Sequence, residues 1–177
     1  VALNIKFLYS ESRVDLFLRG EQDILFARES ELKRFTSVRT ASLFDCHFYI
    51  VVCRDDPLAG KEILNEDDLA GRTFMVGGGS PPEMVVVQNR IIHSGQVNIL
   101  NCPDHETAMA NVAARKGIVM SPGFANDHNG EFVWVPFDCA EHIKCVLGYH
   151  RDDVRESTRY FIELAQAAYT HAGVIPL

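Results

Sequence analysis

The sequence of 177 residues lacks the features that mark several classes of protein. It has no apolar run long enough to span a bilayer, and its first residues lack the basic, apolar and small-residue zones of a signal peptide. We therefore expect a cytoplasmic protein that makes no membrane contact. The 17 basic residues against 24 acidic ones give a net charge of -7, so a basic face for phosphate contacts is not expected in this segment.

The chain also lacks the common signatures of catalytic and cofactor sites. Its five cysteines include no Cys-x-x-Cys pair, and their odd number argues against a disulfide framework. It contains no Gly-x-Ser-x-Gly elbow, no Gly-Lys-Ser/Thr phosphate loop and no Gly-x-Gly-x-x-Gly dinucleotide loop. The polar residues around His105 fit a helix cap better than a metal site. We expect no catalytic residue, no cofactor and no metal.

What the chain does contain is an alternation of strand and helix patterns. With 47% hydrophobic residues it can bury a substantial core. Apolar periodicity and turn residues predict strands over residues 3–7, 23–26, 42–53, 73–76, 97–100, 118–120, 132–135 and 144–149. They predict helices over residues 10–20, 82–94, 104–117 and 152–171. This order indicates an α/β protein.

Four short motifs follow one another in a characteristic order. They are Gly20 and Asp23 before an apolar strand, Pro57-Leu58-Ala59, Asp68-Leu69-Ala70-Gly71, and residues 112–118 (Val-Ala-Ala-Arg-Lys-Gly-Ile) with a proline at position 122. In this order and spacing the set resembles the effector-binding (substrate-binding) domain of LysR-type transcriptional regulators. The resemblance covers nearly the whole chain.

The resemblance implies a type-2 periplasmic-binding-protein-like fold, with two α/β lobes joined by two crossover strands and a cleft between them. The crossovers are expected near residues 44–46 and 143–145. Lobe I would comprise residues 1–45 and 146–177, and lobe II residues 46–145. The family domain begins with a further strand and a helix that often contributes to the dimer interface, and a winged helix-turn-helix DNA-binding domain precedes it. Neither has a counterpart here, so the chain resembles an N-terminally truncated member.

The candidate binding residues lie mainly at the starts of predicted helices, where free backbone N–H groups and the helix dipole attract carboxylates. Ser10 and Ser12 open the first helix, the loop from Gly78 through Gly79 to Ser80 precedes the second, and His105 lies at the start of the third. In the resembled fold all three helix starts face the cleft. The Ser80 hydroxyl can either cap the helix or donate to a carboxylate. From the residues alone, the alternative interpretation is a flexible loop with a cap.

Two further residues complete the candidate site. Arg28 follows a predicted strand at a position that the resembled fold places at the cleft rim, where a guanidinium can bind a carboxylate. A solvated arginine is the alternative interpretation. Phe124 would supply an apolar wall, as the corresponding loop does in the family, with packing beneath its own loop as the alternative.

The resulting functional prediction is an effector-binding domain and not an enzyme. It would sense a small, carboxylate-bearing molecule, act on DNA only through the absent N-terminal domain, and form a homodimer or tetramer when full length. A transporter's solute-binding protein is the alternative. A prephenate dehydratase is disfavoured because Arg72-Thr73-Phe74 has the wrong order for that family's Thr-Arg-Phe motif. A separate hypothesis is a redox-sensitive hinge formed by Cys46 and Cys145. The alternative interpretation is that both residues are reduced, buried thiols.

Overall fold

A computed structural model describes residues 3–6, 12–126 and 128–171, with the backbone alone at Ser12 and His171. In chain order the helices and strands are α1 (Ser12–Leu18), β1 (Ile24–Arg28), α2 (Glu29–Leu32), β2 (Val38–Cys46), β3 (Phe48–Cys53), β4 (Thr73–Gly77), α3 (Pro82–His93), β5 (Asn98–Cys102), α4 (His105–Ala113), β6 (Ile118–Pro122), β7 (Phe132–Pro136), β8 (Ile143–His150) and α5 (Glu156–His171). Short 3-10 helices occur at Pro57–Gly60, Asp67–Leu69 and Gly123–Ala125. Among the described helices, none is long and apolar enough to cross a membrane.

The chain divides into two compact units. Unit 1 consists of the residues up to Asp45 together with those from Lys144 onward, and unit 2 is Cys46–Ile143. The chain thus passes between the units twice, at the end of β2 and at the start of β8. The second boundary lies two residues earlier than the resemblance places it.

Unit 1 contains a three-stranded sheet with strand order β1-β8-β2. β1 runs antiparallel to β8, with Ile24 opposite Tyr149 and Arg28 opposite Cys145. The helix α1 buries Phe17 completely and is followed by Gly20 in the left-handed region at φ 78, as the sequence predicts. The buried core of this unit is formed by Phe17, Leu25, Ala27, Leu32, Val38 and Val146.

Unit 2 contains a five-stranded sheet with strand order β5-β4-β6-β3-β7. β4 lies parallel to both β5 and β6, whereas β3 is antiparallel to β6 and β7. All residues of β6 are buried, and β3 is buried up to its last residue. A continuous apolar strand is what a sheet covered on both faces requires. One buried cluster joins α4 to the sheet and consists of Val51, Met75, Cys102, Ala108, Val112 and Val119.

The prediction of a single strand over residues 42–53 is wrong. The structure ends β2 at Cys46 and begins β3 at Phe48, with His47 between them. β2 belongs to the sheet of unit 1 and β3 to that of unit 2. The aromatic and β-branched residues continue across the change, so hydrophobic pattern alone does not reveal that the strand exchanges partners.

The strand predicted from the alternation of Leu3, Ile5 and Phe7 is absent over residues 3–6. Leu3 and Ile5 are 61% and 67% exposed, so the alternation does not create a buried face in this part of the chain. A strand persists only where a neighbouring strand pairs with its backbone groups. Phe7 lies outside the described residues.

The helix predicted to run from residue 104 to Gly117 ends earlier, at Ala113. Arg115, two residues before Gly117, takes the left-handed conformation with φ 57. Gly117 is needed for a different reason, because a Cβ atom there would lie 2.2 Å from the carbonyl oxygen of Thr73. The glycine thus permits the close approach of the segments that begin β4 and β6.

Candidate functional site

The predicted binding residues of unit 2 lie at the carboxyl ends of three neighbouring strands. β4 ends at Gly77 beside the end of β5 at Cys102, with these two residues in register. β6, the other parallel neighbour of β4, ends at Pro122. Ligands of open α/β sheets bind at such carboxyl ends. We call the loops Gly77–Ser80, residues 103–105 and residues 121–124 the carboxyl edge of unit 2.

Two loops of the carboxyl edge are packed tightly against each other at Gly78. Its N–H donates to the carbonyl oxygen of Cys102 at 3.1 Å. A Cβ atom on Gly78 would lie 2.3 Å from the carbonyl oxygen of Pro103, and one on Gly77 would lie 3.3 Å from that of Asp104. Gly79 follows with φ 80. Backbone packing therefore requires glycine at position 78. The interpretation of this loop as merely a flexible turn is wrong.

The Ser80 hydroxyl is engaged within its own loop. It donates to the carbonyl oxygen of Gly77 at 3.1 Å and accepts from Nε2 of Gln88, a side chain of α3 that is only 2% exposed, at 3.3 Å. The residue at the N-cap of α3 is Pro81, and within the described residues no side chain caps this helix. The expectation that Ser80 caps α3 is therefore wrong. Because its proton is bound to Gly77, Ser80 can donate to a ligand only by breaking that bond.

The start of α3 offers fewer N–H donors than an ordinary helix start. Pro81 precedes the helix and Pro82 is its first residue, and proline has no backbone N–H. The first hydrogen bond of the helix runs from the N–H of Val85 to Pro81. The N–H groups of Glu83 and Met84 are thus the helical donors that remain for a ligand at this end.

The start of α4 is capped by its own acidic residue. Asp104 accepts a hydrogen bond from the N–H of Thr107 at 2.7 Å, which confirms the expected cap. Hydrogen bonding by Thr107 lowers the pKa of Asp104, so its carboxylate stays charged at neutral pH. This negative charge compensates the helix dipole and opposes a second anion beside it. A ligand group at this helix start is therefore expected to be neutral or a hydrogen-bond donor.

Ser121 is a polar residue of the edge that the sequence reasoning missed. It is fully buried in β6, and its Oγ lies 3.4 Å from Nδ1 and 3.5 Å from Nε2 of His105. The two ring nitrogens point in diverging directions, so nearly equal distances from both leave the hydroxyl in line with neither. The contact is long and weakly directed. The signal in the sequence was a serine within the otherwise apolar strand Ile118–Pro122.

Phe124 follows Ser121 by three residues in the chain, and it is 42% exposed. It belongs to the 3-10 helix that follows β6, whose first residue, Gly123, donates to the carbonyl oxygen of His47 at 2.9 Å. A Cβ atom on Gly123 would lie 2.8 Å from Cε2 of Tyr49, so the turn sits directly on β3. The alternative that Phe124 packs beneath its own loop is not observed. Its exposed ring is available as an apolar wall.

Arg28 ends β1 in unit 1 and precedes α2. Its Nε lies 3.1 Å from Oε2 of Glu31, and Arg13 contacts the other carboxylate oxygen at 2.5 Å. Two guanidinium groups thus share one carboxylate and leave a net positive charge. The expectation of a solvated arginine is wrong, because the Arg28 side chain is 25% exposed and paired. Ser12 begins α1, and Ser10 lies outside the described residues.

We expect Glu31→Gln to destabilise the protein by about 1–3 kcal/mol at neutral pH, because two arginines lose their charged partner. Burial raises the pKa of Glu31, but hydrogen bonds from Arg28 and Arg13 outweigh it and lower that pKa from 4.5 to about 2. A lowered folded-state pKa stabilises the fold above pH 4.5, and the contribution is lost as the pH falls towards 2. Urea unfolding should therefore show a gap between wild type and variant that closes with acid. Equal losses in Glu31→Gln and the exposed control Glu21→Gln would contradict this.

A cavity of about 210 Å³ lies at the opposite end of the unit 2 sheet, where β4 and β6 begin. Arg72 is hydrogen-bonded to Asp56 through both terminal nitrogens, and Arg115 donates to Asp55 at 2.7 and 3.1 Å. The pairs neutralise each other, so this cavity attracts neither anions nor cations strongly. Its lining residues are Cys53, Asp55, Asp56, Pro57, Arg72, Val112, Arg115 and Gly117.

Several solved structures resemble the chain. The regulatory domain of NMB2055 (MetR), a LysR family regulator from N. meningitidis, is 20% identical over 94% of this chain and 78% of that one, with a TM-score of 0.58. The BenM effector-binding domain with its effector benzoate is 17% identical over 96% and 79%, with a TM-score of 0.69. HinK, a LysR family transcriptional regulator from Pseudomonas aeruginosa, is 15% identical over 88% and 56%, with a TM-score of 0.72. At these identities the likeness concerns the fold, and it confirms the predicted type-2 periplasmic-binding-protein-like architecture.

The comparison with curated protein sequences gives no significant match. The family model of the LysR substrate-binding domain, in contrast, matches residues 1–170. That range includes all of unit 2, unit 1 up to residue 170 and all four motifs on which the resemblance rests. The chain therefore belongs to the LysR substrate-binding domain family.

Proposed function

We propose that this domain binds a small, carboxylate-bearing effector and transmits its presence to a DNA-binding region. The proposed effector contacts in unit 1 are Ser10, Ser12 and Arg28. Those in unit 2 are Gly78, Gly79, Ser80, His105 and Phe124, joined by Ser121. The observation that carries the proposal is the fully buried Ser121 hydroxyl, whose one side-chain contact among the described residues is the weakly directed one to His105. A buried polar group without a good partner favours a ligand that supplies one.

The charges within each unit suggest how the effector is oriented. At the carboxyl edge of unit 2 the ionised Asp104 disfavours a second negative charge. In unit 1, Arg28 and Arg13 carry two positive charges against the single carboxylate of Glu31. The effector carboxylate is thus expected to bind Arg28, while a neutral polar group of the effector binds Ser121 and His105. Benzoate, the effector of BenM, is likewise a small carboxylate.

Such a domain acts by binding and breaks no covalent bond of its ligand. A ligand shifts a conformational equilibrium only if it has different affinity for the two states. We propose that effector contacts from residues of each unit supply this difference. The structural relatives are transcriptional regulators, which favours a sensor over a transporter's solute-binding protein. We further propose a cytoplasmic protein that binds DNA through a winged helix-turn-helix domain as a homodimer or tetramer.

Thermal unfolding against a panel of benzoate, other aromatic acids, aliphatic carboxylates and amino acids tests this proposal. One chemical class should raise the unfolding temperature in a saturable manner, since it binds only the folded state. Ser121→Ala should weaken the affinity for the stabilising compound about 10-fold through loss of one hydrogen bond. Ser94→Ala is the matched control, because the Ser94 hydroxyl donates to Ile91 at the end of α3. The proposal fails if no class stabilises the protein or if both variants bind equally well.

A further inference from the structure

Unit 1 contains an arginine, Arg13, that the sequence analysis did not select. It is the second residue of α1, and its Nη2 lies 2.5 Å from Oε1 of Glu31. Arg28 contacts the other oxygen, Oε2, with its Nε at 3.1 Å and with its backbone N–H at 2.9 Å. One carboxylate therefore holds two guanidinium groups that come from separate segments of the chain.

Glu31 does not use up the hydrogen-bonding capacity of the two arginines. A guanidinium carries five N–H donors and no acceptor, and it stays charged in proteins. Arg28 contacts Glu31 through Nε, so its two terminal nitrogens have no acceptor among the described residues. Arg13 uses one terminal nitrogen, and its other two nitrogens likewise lack an acceptor there. The side chains of Arg13 and Arg28 are 29% and 25% exposed, so these donors are partly withdrawn from water.

The charges of this cluster favour the binding of one further anion. Burial raises the pKa of Glu31, but its hydrogen bonds to Arg28 and Arg13 lower that pKa to about 2, so the group is charged at neutral pH. Two positive charges then face one negative charge, and one additional carboxylate would neutralise the cluster. The planar fork of a guanidinium matches the two oxygens of a carboxylate.

We propose that Arg13 and Arg28 together bind the carboxylate of the effector, with Glu31 positioning both. This inference rests on the proposed function, because it assigns a second residue to the carboxylate that Arg28 binds there alone. Arg13 contacts the ligand directly, whereas Glu31 acts through the arginines. The recognised group is the charged carboxylate, and a neutral amide of the same shape does not supply the charge that the cluster lacks.

Acetate is the probe of choice, because it consists of a carboxylate and one methyl group. An NMR titration of the isotope-labelled full chain at constant ionic strength follows the side-chain Nε–Hε signals of Arg13 and Arg28. We expect saturable shifts at both arginines in the millimolar range of sodium acetate, and none with acetamide. Arg13→Gln should weaken the binding of acetate at Arg28 at least 10-fold, because a charged hydrogen bond is lost.

Arg19→Gln is the matched control and should bind acetate as wild type does. Arg19 directly follows α1 and pairs with Glu21 at 3.4 Å, but its side chain is 64% exposed. Arg13→Lys keeps the charge beside Glu31 and repeats the test in a folded protein if Arg13→Gln unfolds; it should also bind more weakly, because an ammonium group lacks the fork.

The inference is overturned if acetate shifts neither arginine or if both Arg13 variants bind acetate with wild-type affinity. Neither result depends on the effector panel, so the inference can fail while a compound of the panel still stabilises the protein. If acetate binds both arginines but no compound of the panel stabilises the protein, the carboxylate site stands and the proposed function fails.

Discussion

Gly117→Ala is expected to destabilise the protein by about 3 kcal/mol, a large effect for the addition of one methyl group. The new Cβ would lie 2.2 Å from the Thr73 carbonyl oxygen and 3.0 Å from the Thr73 Cβ. The nearest atom belongs to the backbone, so rotation of a side chain does not relieve the clash. The starts of β4 and β6 must move apart instead, and these strands pair in the middle of the unit 2 sheet.

Urea or thermal unfolding measures this loss directly, and the unfolding temperature should fall by roughly 10 °C. Gly60→Ala is the matched control, because among the described residues no atom lies within 4 Å of a Cβ at that position. It should change stability by less than about 1 kcal/mol. Equal stability of the Gly117 and Gly60 variants would show that the two strands do not approach as closely as the structure has them.

Gly78→Ala is expected to abolish most of the effector affinity, with a loss of about 10-fold or more. A Cβ at this position would lie 2.3 Å from the carbonyl oxygen of Pro103. Relief of the clash separates the glycine loop from the loop that leads to His105. These loops carry the proposed contacts, and displacement of binding groups by about 1 Å is enough to cost affinity.

Titration calorimetry with the stabilising compound from the panel tests this prediction below the unfolding temperature of each variant. Gly117→Ala is a well-matched comparison, because it also introduces a backbone clash in unit 2 but lies at the other end of the sheet. We expect both variants to lose stability and only Gly78→Ala to lose affinity. If the two variants bind alike, the carboxyl edge is not the effector site.

Elements with a complete local signal were predictable from the sequence. The prolines at positions 81 and 82 predict the start of α3, and the capping residue Asp104 predicts the start of α4. The strand β6 stands out as an apolar run after Gly117. The break at His47 was not predictable from the hydrophobic pattern, because it depends on which sheet each half of the run joins, and that is decided by contacts distant in sequence. Only the family resemblance, which places a crossover near residues 44–46, pointed to a change at this position.

The proximity of two candidate loops was predictable, but the hydrogen bonds of their side chains were not. The sequence placed Gly78 and His105 at the starts of two predicted helices, and the structure places both loops at neighbouring strand ends of unit 2. The role of the Ser80 hydroxyl depends on Gln88, eight residues along the chain, and no local pattern reveals that bond. Ser121 was overlooked because its surroundings are apolar, although a lone hydroxyl in a buried strand is itself an unusual feature.

An NMR titration of the isotope-labelled protein with the stabilising compound tests the central claim most directly. The account predicts that backbone amide shifts in unit 2 concentrate at Gly78, Gly79, Ser80, His105 and Ser121, with Arg28 responding in unit 1. Shifts confined to the lining of the opposite cavity, around Asp56, Arg72 and Arg115, would contradict it. They would place the ligand at the other end of the unit 2 sheet.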